Sequence, residues 1–134
     1  MAIFIDASVL IAFANARDIH KAKASKILEE CLTGKYGPLI ITDYIFDEVV
    51  EVLLRKTNRN ISKEFGSFLL TSEFSLLNID RHTFYTAWEL FGKTPQLSFT
   101  DCTTVAFMQL HGINTVATFD KEFKHVRDLT VIDS

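Results

Sequence analysis

The segment Ala2-Ile3-Phe4-Ile5-Asp6-Ala7-Ser8, residues 2–8, begins with an apolar run and changes character at an acidic residue. A short run that is apolar throughout is typical of a strand buried on both faces of a parallel sheet. Further apolar runs occupy residues 39–41 and 115–119, and the second of these is followed by Asp120. The pattern therefore predicts several short, buried, parallel strands.

Segments with helical spacing separate these strands. Asp18 and Asp80 each precede such a segment at a position where a carboxylate caps a helix, and Gly112 follows the last one. We predict helices at 7–16, 20–33, 42–56, 62–71, 80–91 and 98–111, further strands at 74–79 and 129–132, and a helix break at Asn58 and Asn60. Alternating strands and helices predict an α/β fold, a three-layer α/β/α sandwich with a central parallel sheet.

Length and composition favour one compact unit. A chain of 134 residues, 48% of them hydrophobic, can bury a substantial core, and we predict a single domain spanning residues 1–134. The formal net charge of −3 argues, taken alone, against nucleic-acid binding. A site built from several carboxylates would account for more than this deficit, so net charge does not decide the question.

The cysteines and the apolar runs bear on cellular compartment. Cys31 and Cys102 lack CxxC spacing and lie in apolar helical segments, which favours free buried thiols over a disulfide. No apolar stretch reaches the roughly 18 residues needed to span a bilayer, and no basic leader precedes an apolar core. We therefore expect a soluble, cytoplasmic protein that does not enter a membrane.

Acidic residues lie where three of the predicted elements begin or end. Asp6 and Asp120 each follow a predicted parallel strand, and the carboxyl ends of such strands share the edge where open α/β sheets bind ligands. Each also has a local explanation, because Asp caps helices and is common in turns. Asp101 forms a capping-box pattern with Ser98, yet its helix is apolar nearly all round, which favours a ligand role.

A fourth acid, Glu48, is distinguished from its neighbours by its angular position on a predicted helix. At about 100° per residue the apolar residues form one arc, and Glu48 lies at its edge beside Ile45 and Val52. Asp47 and Glu51 fall on the polar side, where solvated charge suits them. A glutamate at the margin of a buried face needs a partner. Glu48 is therefore assigned to the site, and a structural boundary glutamate is the alternative.

These acids together indicate a metal-dependent hydrolase. Four carboxylates at one edge of a sheet would repel one another without a divalent cation, and Mg²⁺ or Mn²⁺ suits oxygen ligands. The histidines show no metal-ligand spacing, and there are no paired cysteines beside them. No GxSxG elbow, Walker loop or GxGxxG loop is present.

The motifs around the acids are Ile5-Asp6-Ala7-Ser8, Ser98-Phe99-Thr100-Asp101 and Thr118-Phe119-Asp120-Lys121-Glu122-Phe123, with Glu48 in the helix after Thr42. In this order they resemble the four acidic motifs of PIN-domain ribonucleases, in particular the VapC toxins of type II toxin–antitoxin modules. The resemblance implies a metal-dependent endoribonuclease that forms a homodimer and is inhibited by an antitoxin protein in its active-site groove. It implies that the catalytic metal ligands are Asp6, Glu48, Asp101 and Asp120, with Ser8 and Thr118 in support and Glu51 as the alternative to Glu48.

Other interpretations stay open at this point. Arg55, Lys56 and Arg59 follow the helix of the fourth acid, and such a run is usually a solvated face, with RNA phosphate binding as the alternative. A receiver-like signalling domain could use Asp43 as phosphoacceptor, but Asp120 stands where that fold needs a lysine. A PIN domain that binds RNA or protein without cutting, and a PIN nuclease of ribosomal or transfer RNA processing, are the remaining alternatives.

Overall fold

The computed structural model describes residues 1–134 and contains five strands, six α-helices and one 3₁₀-helix. In chain order the elements are β1 (Ile3–Ile5), α1 (Ala7–Ala14), α2 (Lys21–Leu32), β2 (Leu39–Thr42), α3 (Asp43–Lys56), α4 (Arg59–Thr71), β3 (Ser75–Leu77), α5 (Arg81–Lys93), α6 (Phe99–His111), β4 (Thr115–Ala117), the 3₁₀-helix (Lys121–His125) and β5 (Thr130–Ile132).

The strands form one sheet in the order β3-β2-β1-β4-β5, and every neighbouring pair is parallel. The chain builds outward from β1 through β2 and β3, then returns to the other side of β1 with β4 and β5. The strand order therefore reverses between β1 and β4. A reversal of this kind opens a crevice at the carboxyl ends of the two strands.

The central strand is packed on both faces. Ile3, Phe4 and Ile5 have no exposed surface, and the Phe4 ring lies 6.0 Å, centroid to centroid, from that of Phe107 in α6. Because successive strand side chains point to opposite faces, Ile3 and Ile5 pack on the other side. α6 is buried from Cys102 through Met108, as expected for a central helix. The prediction of a three-layer α/β/α sandwich around a parallel sheet is confirmed.

Capping chemistry sets the starts of α3, α5 and α6 and the end of α6 as predicted. The side chains of Thr42 and Asp80 each accept the backbone N–H three residues ahead, at the starts of α3 and α5. Ser98 and Asp101 form a reciprocal capping box at the start of α6, and Gly112, with φ of 67°, ends that helix in the left-handed conformation.

The predicted helix break at Asn58 and Asn60 and the predicted helix start at Ser62 are wrong in position. α4 begins at Arg59 because the Oδ1 of Asn58 accepts a backbone N–H of its first turn at 2.9 Å. Asn60 lies inside that turn. The hydroxyl of Ser62 instead donates to the carbonyl of Val50 at 2.7 Å, which ties α4 to α3.

Several further element ends differ from prediction: α1 ends at Ala14 rather than residue 16, β3 spans only Ser75–Leu77 rather than 74–79, and α5 extends to Lys93 rather than residue 91. Asp18 does not cap α2; it accepts the N–H of His20 at 2.8 Å and closes a turn ahead of the helix. β4 ends at Ala117 rather than Phe119. The residues between β4 and the 3₁₀-helix consequently form a turn, and that turn carries part of the site described below.

The remaining predictions concern the cysteines and membrane spans. Cys31 and Cys102 are free and buried, as predicted. No helix of the structure has the length and apolar character needed to cross a bilayer.

Candidate active site

The four predicted acids meet in one cleft at the strand-order reversal. Asp6 directly follows β1, and Asp120 lies in the turn after β4; Asp101 is in the first turn of α6, and Glu48 is in α3. The cleft has a volume of about 470 Å³. We call it the acidic cleft, and its lining residues are Asp6, Ser8, Ile11, Asp18, His20, Glu48, Val52, Arg55, Lys56, Ser98, Asp101, Phe119 and Asp120.

Asp6 is the most buried of these acids, with 4% of its surface exposed. Its Oδ2 accepts hydrogen bonds from the hydroxyls of Ser8 and Thr118, both at 2.8 Å. The N–H groups of Ser8 and Ala7 lie close enough to favour the charged form, but neither forms a side-chain cap hydrogen bond at the start of α1. Burial nevertheless outweighs these bonds and raises the pKa of Asp6. Helix capping therefore does not explain this carboxylate.

Two hydroxyl groups join the ends of β1 and β4. Thr118 is fully buried, and its Oγ1 donates to Asp6 while accepting the N–H of Asp120 at 3.0 Å. The Oγ of Ser8 donates to Asp6 and accepts the N–H of Phe119 at 3.0 Å. These residues were predicted as supporting hydrogen-bonding groups, and their bonds fix the carboxylate of Asp6 and the backbone that leads to Asp120.

Asp101 combines the capping and cleft positions. Its Oδ2 accepts the N–H of Ser98 at 3.2 Å, as part of the capping box. Burial, followed by the negative charge of Asp6, raises the pKa of Asp101 to about 6 despite that bond. An ordinary exposed cap would have a lowered pKa, as Asp80 has at the start of α5. Asp101 thus shares the electrostatic field of the cleft.

Glu48 shows the strongest effect of the shared charge. Burial, followed by the negative charges of Asp6, Asp101 and Asp120, raises its pKa from the ordinary 4.5 to about 7. Glu51, the alternative from the sequence, is exposed and does not line the cleft. The structure therefore brings Glu48, rather than Glu51, together with the other three acids.

The donor set fits a hard divalent cation. None of the four carboxylates forms a salt bridge. The two ion pairs of the structure lie elsewhere and join Lys35 to Glu30 and Lys124 to Asp133. The side chains do not form a closed metal cage in this structure, since no three of them are already placed to ligate one ion together. Mg²⁺ commonly uses one or two carboxylates and keeps several waters, so it does not require such a cage. Uncompensated, partly buried carboxylates are the groups that such an ion would neutralise.

Comparison with known proteins identifies the family. The sequence profile of the PIN domain matches residues 3–129. The chain belongs to the PIN-domain family. It is 32% identical over 56 residues to a VapC ribonuclease of Archaeoglobus fulgidus, a match that covers 42% of this chain and 36% of that protein. The chain thus aligns with little more than a third of that relative's length.

Solved structures of similar fold include VapC and VapBC proteins. VapC20 of Mycobacterium tuberculosis, a toxin that cleaves the sarcin-ricin loop, superposes with a TM-score of 0.81 and 22% identity over 91% of this chain and 92% of VapC20. VapBC2 of Rickettsia felis, bound to a DNA fragment from its promoter, superposes with a TM-score of 0.75 and 14% identity over 98% of each chain. These likenesses show that the chain shares its fold with those proteins.

Several residues of this PIN-domain cleft have no counterpart among the predicted site residues. His20 and Asp18 come from the turn before α2, and the His20 ring stacks on Phe119 at 4.8 Å between centroids. Arg55 and Lys56, considered above as a solvated face, line the cleft, whereas Arg59 does not. The basic run that begins at the end of α3 was the only sequence signal for Arg55 and Lys56.

Metal-free stability of this PIN domain should depend on pH through Glu48. A carboxyl whose folded-state pKa lies above 4.5 binds its proton more tightly in the folded state, so the contribution of Glu48 to stability is greatest at low pH. It falls as pH rises from 4.5 toward about 7. We expect Glu48→Gln to be more stable than wild type at pH 8 by about 1 kcal/mol, less than the full shift implies because the side chain is partly exposed.

The measurement is thermal unfolding in EDTA across this pH range. Glu51→Gln serves as the control, since that side chain lies outside the cleft. The two variants should have similar melting temperatures relative to wild type at pH 5 and should diverge at pH 8. Equal stability of Glu48→Gln and wild type at pH 8 would contradict the electrostatic argument.

Proposed function

We propose that this PIN-domain protein is a metal-dependent endoribonuclease and the toxin of a toxin–antitoxin pair, with residues 1–134 acting as one domain. The observation that carries the proposal is a cleft in which four carboxylates lie together without a cationic partner. A structural role would favour paired or solvated acids, because clustered buried charge lowers stability. The cost of the cluster is understandable if it serves binding and chemistry.

Asp6, Glu48, Asp101 and Asp120 would hold Mg²⁺ or Mn²⁺. A bound ion of this kind lowers the pKa of water and neutralises charge on a phosphoryl group. Ser8 and Thr118 orient Asp6 through their hydroxyls. Because both donate to one oxygen, Oδ2, the second oxygen of Asp6 is the one available to a ligand.

Arg55 and Lys56 supply the positive side of the proposed RNA site. Both are exposed and line the acidic cleft near Glu48. Phosphates attract lysine and arginine strongly enough to determine the salt dependence of binding. RNA would therefore place a phosphate between the acids and these two side chains, and its affinity would fall as salt rises.

A second groove adjoins the acidic cleft and supports the antitoxin part of the proposal. Its volume is about 610 Å³, and Lys56 lines both cavities. Phe65 and the exposed Phe68 contribute apolar surface there, together with Ile61. A partner segment with an apolar face would fill this groove and reach the acids, which agrees with inhibition by occupation of the active site.

The homodimer would use the aromatic face of α5. Trp88 is 59% exposed and stacks on Phe91, and Tyr85 and Phe84 lie on the same helix. Contiguous exposed aromatic surface of this kind is typical of protein interfaces. We expect Trp88→Glu to convert a dimer to a monomer in sedimentation equilibrium, whereas Leu70→Glu on α4 leaves the mass unchanged. A monomeric wild-type protein, or a dimeric Trp88→Glu protein, would rule this surface out.

Cleavage of a mixed pool of structured RNAs by the purified protein tests the nuclease. We expect cutting with Mg²⁺ or Mn²⁺, none in EDTA, and recovery when excess metal is restored. Cutting that persists in EDTA would exclude the metal-dependent mechanism.

Expression of the wild-type protein in a bacterial host tests the toxin role. We expect growth arrest with the wild-type protein and normal growth with an inactive cleft variant. Normal growth with an active nuclease would instead favour RNA processing.

A further inference from the structure

His20 and Phe119 form a stacked pair on the wall of the acidic cleft. Their ring centroids are 4.8 Å apart and the ring planes differ by 25°. His20 comes from the turn before α2, and Phe119 immediately precedes Asp120 in the turn after β4. Both residues line the cleft and both are half-buried, so part of each side chain remains open to a ligand.

Backbone hydrogen bonds hold both residues of the pair in place. The N–H of Phe119 donates to the Oγ of Ser8 at 3.0 Å. The N–H of His20 donates to Asp18 at 2.8 Å, and its carbonyl accepts the N–H of Ala24 at 2.9 Å. Because the rings are already ordered, a flat ligand that stacks on them would lose little of its binding energy to ordering the protein.

The surroundings of the pair indicate what that flat ligand is. The same cleft holds the four acids and the basic side chains of Arg55 and Lys56. Phosphate-binding side chains beside an aromatic surface are the combination that single-stranded nucleic acids use, with bases stacking on rings that include histidine. A pair that served packing alone would not need to line the open cleft.

We propose that the His20–Phe119 pair is a base-stacking site that holds one unpaired nucleobase of RNA beside the phosphate at the acids. The inference rests on the proposed ribonuclease function and extends it by naming the chain's own contact to a base. His20 is then a substrate-binding residue. The substrate must present an unstacked nucleotide next to the cleavage position, as a loop, bulge or single strand does.

The test removes a nucleobase from the RNA, the imidazole ring of His20 from the protein, or both. The protein carries Asp101→Asn so that RNA is not cut, and it is compared with the same protein carrying His20→Ala or His20→Phe. The probe is a short fluorescein-labelled single-stranded RNA, intact or with each base in turn replaced by an abasic site, titrated in Mg²⁺. We expect one abasic position to weaken binding to the parent by at least about fivefold.

The diagnostic result is loss of that difference when the ring is absent. His20→Ala should bind the intact and the abasic RNA equally, and His20→Phe should restore discrimination because it restores a stacking face. His82→Ala, an exposed histidine on α5, should behave like the parent. Thermal unfolding of each variant tests whether the His20 changes leave the fold intact, and we expect unchanged melting temperatures.

Two outcomes overturn the inference and are distinguishable from each other. In the first, the parent binds RNA, and each abasic position weakens binding by the same factor in the parent and in the His20→Ala protein. Stacking on His20 is then excluded while the nuclease proposal stands. If the wild-type protein neither binds nor cuts RNA in Mg²⁺, the proposed function and the stacking site fail together.

Discussion

Asp6→Asn is expected to reduce metal-dependent RNA cleavage by more than about 100-fold, since changes merely next to a metal ligand already cost about 10–100-fold. Asp6 is the most buried of the four acids and is oriented by two hydroxyl donors. Asparagine has the same shape but lacks the negative charge that a divalent cation requires. The measurement is the initial rate of RNA cleavage over a range of Mg²⁺ concentrations.

Stability separates this effect from unfolding. Burial raises the pKa of Asp6, so the charged form is unfavourable in the metal-free fold. Asp6→Asn should therefore have a melting temperature in EDTA equal to or above that of wild type, and Mg²⁺ should raise it less. Asp47→Asn, an exposed acid on the helix of Glu48, should keep normal cleavage. An active Asp6→Asn protein would exclude Asp6 as a principal metal ligand.

The acids could be predicted because each lies at a position that local pattern defines. Asp6 and Asp120 follow short apolar runs, and strands of that kind are parallel neighbours in open α/β folds. Glu48 required only the helical angle that separates it from Glu51. Each of these patterns extends over only a few residues, and the fold then brings the acids together at the carboxyl ends of β1 and β4.

The cleft residues that escaped prediction depend on contacts distant in sequence. His20 becomes a cleft residue only because the turn before α2 packs against Phe119. Lys56 becomes one only because the end of α3 borders the cleft. The start of α4 shows a different limit. Thr57 ends α3 and Asn58 directly after it caps α4, and composition alone does not distinguish a residue that breaks a helix from one that starts the next.

The electrostatics show why the local explanations of the acids were insufficient. Asp101 is a genuine capping residue, yet its pKa lies at about 6 because the cleft, rather than the cap, controls its charge. A capping role and a ligand role are therefore compatible in one side chain. The sequence pattern that suggested the first role gave no information about the second.

Thr118→Val is expected to lower cleavage by about 10–100-fold through misplacement of Asp6 and Asp120 rather than loss of a carboxylate. Valine matches threonine in shape but removes the hydroxyl that donates to Asp6 at 2.8 Å and accepts the N–H of Asp120 at 3.0 Å. The bond to Asp6 is buried and the bond from Asp120 is part-buried, so Asp6 loses one of its two hydroxyl donors at a position that water hardly reaches. We also expect a loss of about 1–3 kcal/mol in the free energy of unfolding.

Thr118→Ser separates the hydroxyl from the methyl group of this side chain. Serine retains the donor to Asp6 and the acceptor for Asp120, so its cleavage rate and Mg²⁺ dependence should stay near those of wild type even though its stability falls. Thr118→Val should instead need more Mg²⁺ to reach half its maximal rate, because the carboxylates it leaves are less well oriented for an ion. Equal impairment of the two variants would show that Thr118 acts by packing alone, and the hydroxyl bridge between β1 and β4 would then have no part in the chemistry.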